Sequence, residues 1–257
     1  MLSAGTHTIG NISGTSATTI QAAAILSIGN NNSTTSYSGN ISGGGELEKV
    51  GSGATTLTGT NDYSGGTTVL AGTLIGTASA LQGTITNNAT LIFDQPTDAT
   101  FLGTIQGTGH TQKEGAGLLS TSGTITQNTF AVMEGTFASN GFIISNVTVG
   151  PLGTLQGNCM ISGNVLTQGA IAPGNSPGTI FIIGDLTFTS GSFLEIEFTP
   201  TQTDLIQVTG TMTIQPGATL SLFPAFGTYP PNHTYQIASA SGGIFGEFSS
   251  ISLSLPT

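Results

Sequence analysis

Four groupings of residues in this 257-residue chain could carry chemistry. Glu195 and Glu197 sit two apart in the alternating run Phe193-Leu194-Glu195-Ile196-Glu197-Phe198. A strand would hold both carboxylates on one face, about 6.8 Å apart. Carboxylates separated by roughly 5–10 Å are what glycoside hydrolysis needs. Glu46 and Glu48 repeat the spacing. Gly174-Asn175-Ser176-Pro177-Gly178 fits the G-x-S-x-G nucleophile pattern, and Asp204 and His233 follow in hydrolase order. His7, His110 and His233 could ligate a metal, and Cys159 is the one thiol.

Each grouping also has a plainer reading. A nucleophile elbow takes an oxyanion-hole N–H from the residue after its serine. Here that residue is Pro177, which has none, and Thr179–Ile183 after it reads as a strand where the elbow needs a helix. Glu195 and Glu197, a lone pair without aromatic or arginine subsites, read as a solvated strand face. Lyases with an arginine base are excluded, because the chain has no Arg. The three histidines never stand at ligand spacing, and the Asp residues are scattered without the calcium-binding glycine-rich repeat. His110 takes the slot that Glu46 holds in an internal repeat and reads as a surface residue. Gly43-Gly44-Gly45 and Gly51-Ser52-Gly53 lack the helix N-terminus and Gly-Lys-Ser/Thr of a phosphate loop. Cys159 reads as a small buried residue. The expectation is therefore no catalytic, cofactor-binding or metal-binding residue.

The elements that position these residues follow from composition. Charged residues are 5% of the chain and the net charge is −10, with Lys49 and Lys113 the only basic side chains. Nucleic acid, which is bound through clustered Lys and Arg, is excluded as a partner, and so is electrostatic docking on anionic lipid. One cysteine allows no internal disulfide. The N-terminus shows no basic segment followed by an apolar run, and no stretch approaches the ~20 apolar residues of a spanning helix.

Short segments rich in Thr, Val, Ile and Leu alternate with period two: Thr56–Thr58, Thr67–Leu70, Gly72–Ile75, Thr84–Thr86 and Thr90–Phe93. Ala22–Ile28 reads as a strand or end cap. Gly and Asn pairs separate the segments and are expected to supply positive φ at corners. Nothing holds a 3.6-residue period, and Gly, at 39 residues, is too frequent for helices.

The stretch from Gly39 returns without a gap at Gly103. Gly39/Gly103, Ile41/Ile105, Gly43/Gly107, Gly45/Gly109, Lys49/Lys113, Gly51/Gly115, Gly53/Gly117 and Gly59/Gly123 are identical pairs. Short strands, tight corners and an internal period predict an all-β, single-stranded β-solenoid, each strand pairing in parallel with its equivalent one turn later. If the offset from Lys49 to Lys113 spans three turns, each turn is roughly 21 residues, and the two lysines share one face. Ile41, Leu47, Leu57, Val69, Leu74, Ile85, Leu91 and Phe93 are expected inside, with Thr and Ser ladders outside. Residues 1–165 read as repeat-bearing rungs. Residues 166–257, where aromatics rise and strands lengthen, read as a continuous C-terminal segment covering the last rung, with Pro224, Pro230 and Pro231 marking a loop.

Glu46-Leu47-Glu48-Lys49-Val50-Gly51-Ser52-Gly53 through Asn61-Asp62-Tyr63-Ser64-Gly65-Gly66-Thr67-Thr68-Val69 resembles the passenger-associated transport repeat of bacterial autotransporters. Its second copy lacks the Asn-x-Tyr-Ser-Gly-Gly corner. Pro173-Gly174-Asn175-Ser176-Pro177-Gly178 and Asp204-Leu205-Ile206-Gln207-Val208-Thr209-Gly210 are similar to signatures late in such passengers. The resemblance implies a right-handed parallel β-helix displayed outside the cell by a C-terminal barrel absent here, which would be the sole link to a membrane. Passengers have diverse roles, so the resemblance does not settle the ligand. The repeat match together with the lack of catalytic groups leads to the expectation of a non-enzymatic stalk or adhesin-like module whose Thr/Ser/Asn face contacts a host-surface protein or glycan. A self-associating fibre module and a carbohydrate-active enzyme using Glu195 and Glu197 are the alternatives.

Overall fold

The computed structural model describes residues 1–10, 12–174 and 177–254. Among them every regular element is a β-strand and none is a helix. The strands pair in parallel with their counterparts one turn on, so the chain is a parallel β-solenoid, as the alternation and glycine corners predict. Two compact units divide it, Met1–Phe130 and Ala131–Thr257.

In the first unit one face stacks Gly5–Ile9, Ala24–Ile28, Glu46–Lys49, Thr67–Val69, Ile85–Asn87 and Ile105–Gln106. A second face stacks Thr35–Tyr37, Ala54–Leu57, Thr73–Gly76, Thr90–Asp94 and His110–Glu114. Ala99–Phe101 and Leu118–Thr121 stack on a third. Successive turns from Leu47 arrive at Thr67, Ile85 and Ile105. All eight side chains expected inside are buried. Outside, hydroxyls and amides line up along the stack: Thr100 with Ser120 at 2.7 Å, and the Gln106 amide with Thr86 at 3.2 Å.

The offset between the two lysines is not a whole number of turns. The column that starts at Lys49 passes through Val69 and Asn87 and then arrives beside Gln106, well short of Lys113. The lysines therefore do not share a face. Lys49 stacks between Ile28 and Val69, whereas Lys113 stacks on Phe93, in the column of Gly76 and Leu57. Both are fully buried. What repeats is a corner. Lys49 folds its ammonium back onto the carbonyls of Val50 (2.6 Å) and Gly51 (2.9 Å) and reaches Ala71 on the next rung (3.2 Å). Lys113 likewise reaches the Gly115 carbonyl. Gly51 and Gly115 have φ of 68° and 76°, which turns their carbonyls to the cation. The Lys-x-Gly-x-Gly spacing is thus an ammonium plug for backbone oxygens left unpaired where a rung bends.

The Asn-x-Tyr-Ser-Gly-Gly-Thr corner has a similar logic. The Asn61 side chain accepts from Ile41 N–H at 2.8 Å on one rung and donates to Ala80 O at 2.7 Å on another. Buried Tyr63 shares a hydrogen bond with Thr67 at 2.6 Å. A Cβ at Gly65 would lie 2.5 Å from the Gly45 carbonyl oxygen, so the rungs close only on glycine.

The asparagines do not supply positive φ as a class. Among the described non-glycine residues only Ala23, Asn32 and Asn232 have it. Asparagine side chains instead accept backbone N–H groups one turn ahead, as Asn88 does from Thr108 and Asn158 from Thr179. Short amides suit this because the strand end they cap lies one rung away.

In the second unit Phe142–Gly157 supplies the first strand to all three faces. Met160–Ser162, Thr179–Ile183, Leu205–Val208 and Ala238–Ala240 stack on one. Val165–Thr167, Leu186–Phe188, Met212–Ile214 and Ile244–Phe245 stack on another. Ala170–Pro173, Phe193–Phe198, Thr219–Pro224 and Ser250–Leu253 stack on the third. Here Asn146, Asn164 and Asp185 form the corner ladder, each accepting the backbone N–H one turn on. Those bonds from Thr211 hold the Asp185 carboxyl below its usual range. Leu194 and Ile196 point inward and Phe193 outward, as the alternation requires.

Candidate functional site

Strand Phe193–Phe198 positions a cluster of carboxylates in a concave setting. Its register pairs Glu195 with Ser221 and Glu197 with Phe223, and Ala172 lies on the other side, next to Gln156. The small Ala172 side chain leaves a furrow of about 250 Å³ among Gln156, Glu195, Glu197, Asp204 and Phe223. Glu195 is half-buried and Glu197 exposed.

Asp204 belongs to a short excursion, 199–204, that folds back antiparallel, with a bridge between Phe198 and Thr203. Its side chain is buried. One carboxylate oxygen accepts from Gly178 N–H and the other from Glu197 N–H, both at 2.7 Å. Its own N–H donates to Glu197 O at 2.9 Å. Burial pushes the Asp204 carboxyl up to about 6; the two amide bonds pull the other way and the Glu197 charge adds to the rise. Burial first, and then the Glu197 charge, raise the Glu195 carboxyl. The furrow thus holds two carboxyls whose ionisation burial disfavours, Glu195 and Asp204, the second of them bonded to two backbone amides, beside the exposed side chain of Glu197.

The other candidates are engaged with partners of their own or lie outside the described residues. Asp204 spends both oxygens on backbone amides, and the His233 ring packs on Tyr235 with centroids 4.5 Å apart. Ser176 and Asn175 lie outside the described residues. Thr179–Ile183 is a strand, so the turn does not open a helix. His110 shares hydrogen bonds with Thr129 at 2.6 Å and Gln112 at 3.2 Å. Glu46 accepts from Thr68 at 2.5 Å. Among the described residues no group of three or more His, Cys, Asp or Glu is arranged to hold a metal ion. Cys159 is buried, and burial pushes its thiol up to about 12, which leaves no reactive thiolate at neutral pH.

The sequence reading missed the Asp204 clasp. An aspartate one residue before a strand was visible; the signal that it closes a loop lies in the extra chain between Phe198 and Leu205, which lengthens the turn from Ile182 to Val208.

Residues 47–75 match the family model of the passenger-associated transport repeat. Over 98 residues, 36% of its length, the chain is 35% identical to an extracellular serine protease of Serratia marcescens. That stretch spans 9% of the protease.

Proposed function

We propose that this chain, an autotransporter passenger-type β-solenoid, is a secreted or surface-displayed structural module with no enzymatic activity of its own, presenting its Thr/Ser/Asn face to a host-surface protein or glycan. The observation that carries the reading is the commitment of polar groups to holding rungs together. Lys49, Asn61 and Asp204 each bind backbone from two segments of chain. The serine protease relative is matched over too small a part of its length to lend its activity to this chain.

The furrow supplies the competing reading. Glu195 and Glu197, about 6.8 Å apart by strand rise, lie within the range of an inverting glycosidase, and Phe223 is the one aromatic ring in the furrow lining. The test compares the chain with Glu195→Gln for polysaccharide hydrolysis, and for binding to host cells and a glycan array. Binding that survives the substitution, without hydrolysis by either protein, is expected. Hydrolysis abolished by Glu195→Gln would overturn the non-enzymatic reading.

A further inference from the structure

We propose that the excursion 225–237 is a processing site for an endopeptidase that cuts after aromatic residues, with Phe226–Gly227 the bond cut, and that the same fold denies endopeptidases directed at basic residues any bond to cut. The excursion joins strand Thr219–Pro224 to strand Ala238–Ala240. No residue from Phe226 to Ile237 donates its backbone N–H to a carbonyl of the described chain. Backbone that is not paired opens at little cost, and an endopeptidase must draw backbone into its own cleft before it can cut.

The aromatic residues of the excursion are not equivalent. Phe226 is 77% exposed. Tyr229 is followed by Pro230, whose ring nitrogen carries no hydrogen, and its hydroxyl donates to the Ala225 carbonyl at 2.7 Å. Tyr235 is half-buried and packs on Phe198 with centroids 5.4 Å apart. Exposed aromatic side chains elsewhere stand on paired strands: Phe142 beside Met160, Phe193 between Ala170 and Thr219, Phe245 beside Thr213. Leu102 is also exposed, but the next residue, Gly103, sits so close to the Gly83 carbonyl that a Cβ there would lie 1.8 Å from its oxygen. Hydrolysis at Phe226 adds one water across the peptide bond, leaving a carboxylate on Phe226 and an ammonium on Gly227. The two pieces stay joined, because the outer piece keeps the pairings of Ile206 with Ala238, Met212 with Ile244 and Leu220 with Ile251.

The lysines present the opposite case. Lys49 and Lys113 are the only basic residues, and both are fully buried. The Lys49–Val50 bond is held on both sides: the Lys49 carbonyl accepts from Leu70 N–H at 2.9 Å, and Val50 N–H donates to Ile28 O at 2.8 Å. Lys113 lies within strand His110–Glu114, and the Glu114 carbonyl accepts from Gln95 N–H at 2.9 Å. Neither side chain can enter a specificity pocket until its rungs come apart, so cutting there follows the unfolded population. The inference rests on the chain alone and stands whether or not the display role proposed above holds.

The test treats the folded full chain with chymotrypsin and, separately, with trypsin, and identifies the products by mass spectrometry. The expected first chymotryptic cut is at Phe226–Gly227, with both pieces eluting together on gel filtration, and trypsin is expected to leave the chain whole. Denatured chain, cut by trypsin at both lysines, is the control. Phe226→Ala should lose the first cut. Phe226→Lys should become a trypsin substrate at that position alone, which separates access to the excursion from the preference of either enzyme. A first chymotryptic cut at any other bond, tryptic cleavage of the folded chain at Lys49 or Lys113, or Phe226→Lys resisting trypsin would overturn the proposal.

Discussion

Asp204→Asn should flatten the pH dependence of the second unit's stability. The carboxyl moves from its ordinary 3.8 to about 6 on folding, chiefly because it is buried. The folded chain therefore binds a proton that the unfolded chain releases between those values. Its contribution is complete below pH 3.8, declines as pH rises through about 6, and is constant above. A rise of this size corresponds to about 3 kcal/mol; water entering the furrow should reduce it to about 1–2 kcal/mol. Asparagine cannot titrate, so that slope disappears. It also keeps one acceptor where the carboxyl offers two, so either Gly178 N–H or Glu197 N–H faces an amide group, at a cost of about 1–3 kcal/mol. The variant should therefore trail the parent most near pH 4 and approach it by pH 7.5. Denaturant unfolding followed by circular dichroism over pH 4–7.5 measures both curves, and amide exchange at Gly178 and Glu197 locates the change. Taking the difference cancels the titrating carboxyls that do not interact with Asp204. Parallel curves between pH 4 and 6.5 would refute the argument that Asp204 is ionised against the cost of its burial.

Two further substitutions test the corners. Lys49→Met keeps the aliphatic stem but strips three carbonyls of their cation, and should cost about 2–4 kcal/mol in unfolding free energy; a loss below about 0.5 kcal/mol, ordinary for an exposed lysine, would contradict the plug. Gly103→Ala puts a Cβ 1.8 Å from the Gly83 carbonyl oxygen and should cost about 3 kcal/mol. Gly150→Ala, whose nearest neighbours are 3.3 Å away, should change stability by less than about 1 kcal/mol; equal losses at the two positions would sink the account of close approach.

What the sequence disclosed and what it hid follow from the range of each interaction. Period-two alternation is local, so strands such as Thr73–Gly76 and Thr90–Asp94, and the buried set from Ile41 to Phe93, could be read directly. Coil length per turn is not local. The offset that matches Gly39 to Gly103 and Lys49 to Lys113 looks like a multiple of the rung period. Yet every step along Leu47, Thr67, Ile85 and Ile105 is shorter than a third of it, and the match is between corners on different faces. A three-faced coil has three corners per turn, all bending an extended chain and all leaving carbonyls to satisfy. The same Lys-x-Gly-x-Gly solution can recur at any of them, so sequence identity between corners carries no information about phase. Lysine is usually solvated, yet a chain with only two basic residues and 39 glycines can bend backbone around an ammonium at little steric cost. The furrow was half legible: Glu195 and Glu197 followed from alternation, whereas Asp204 reached them through a loop whose return is recorded in no periodic pattern. The turns from Ile182 to Val208 and on to Ala240 extend this logic, because residues added to a turn leave the inter-rung pairing intact.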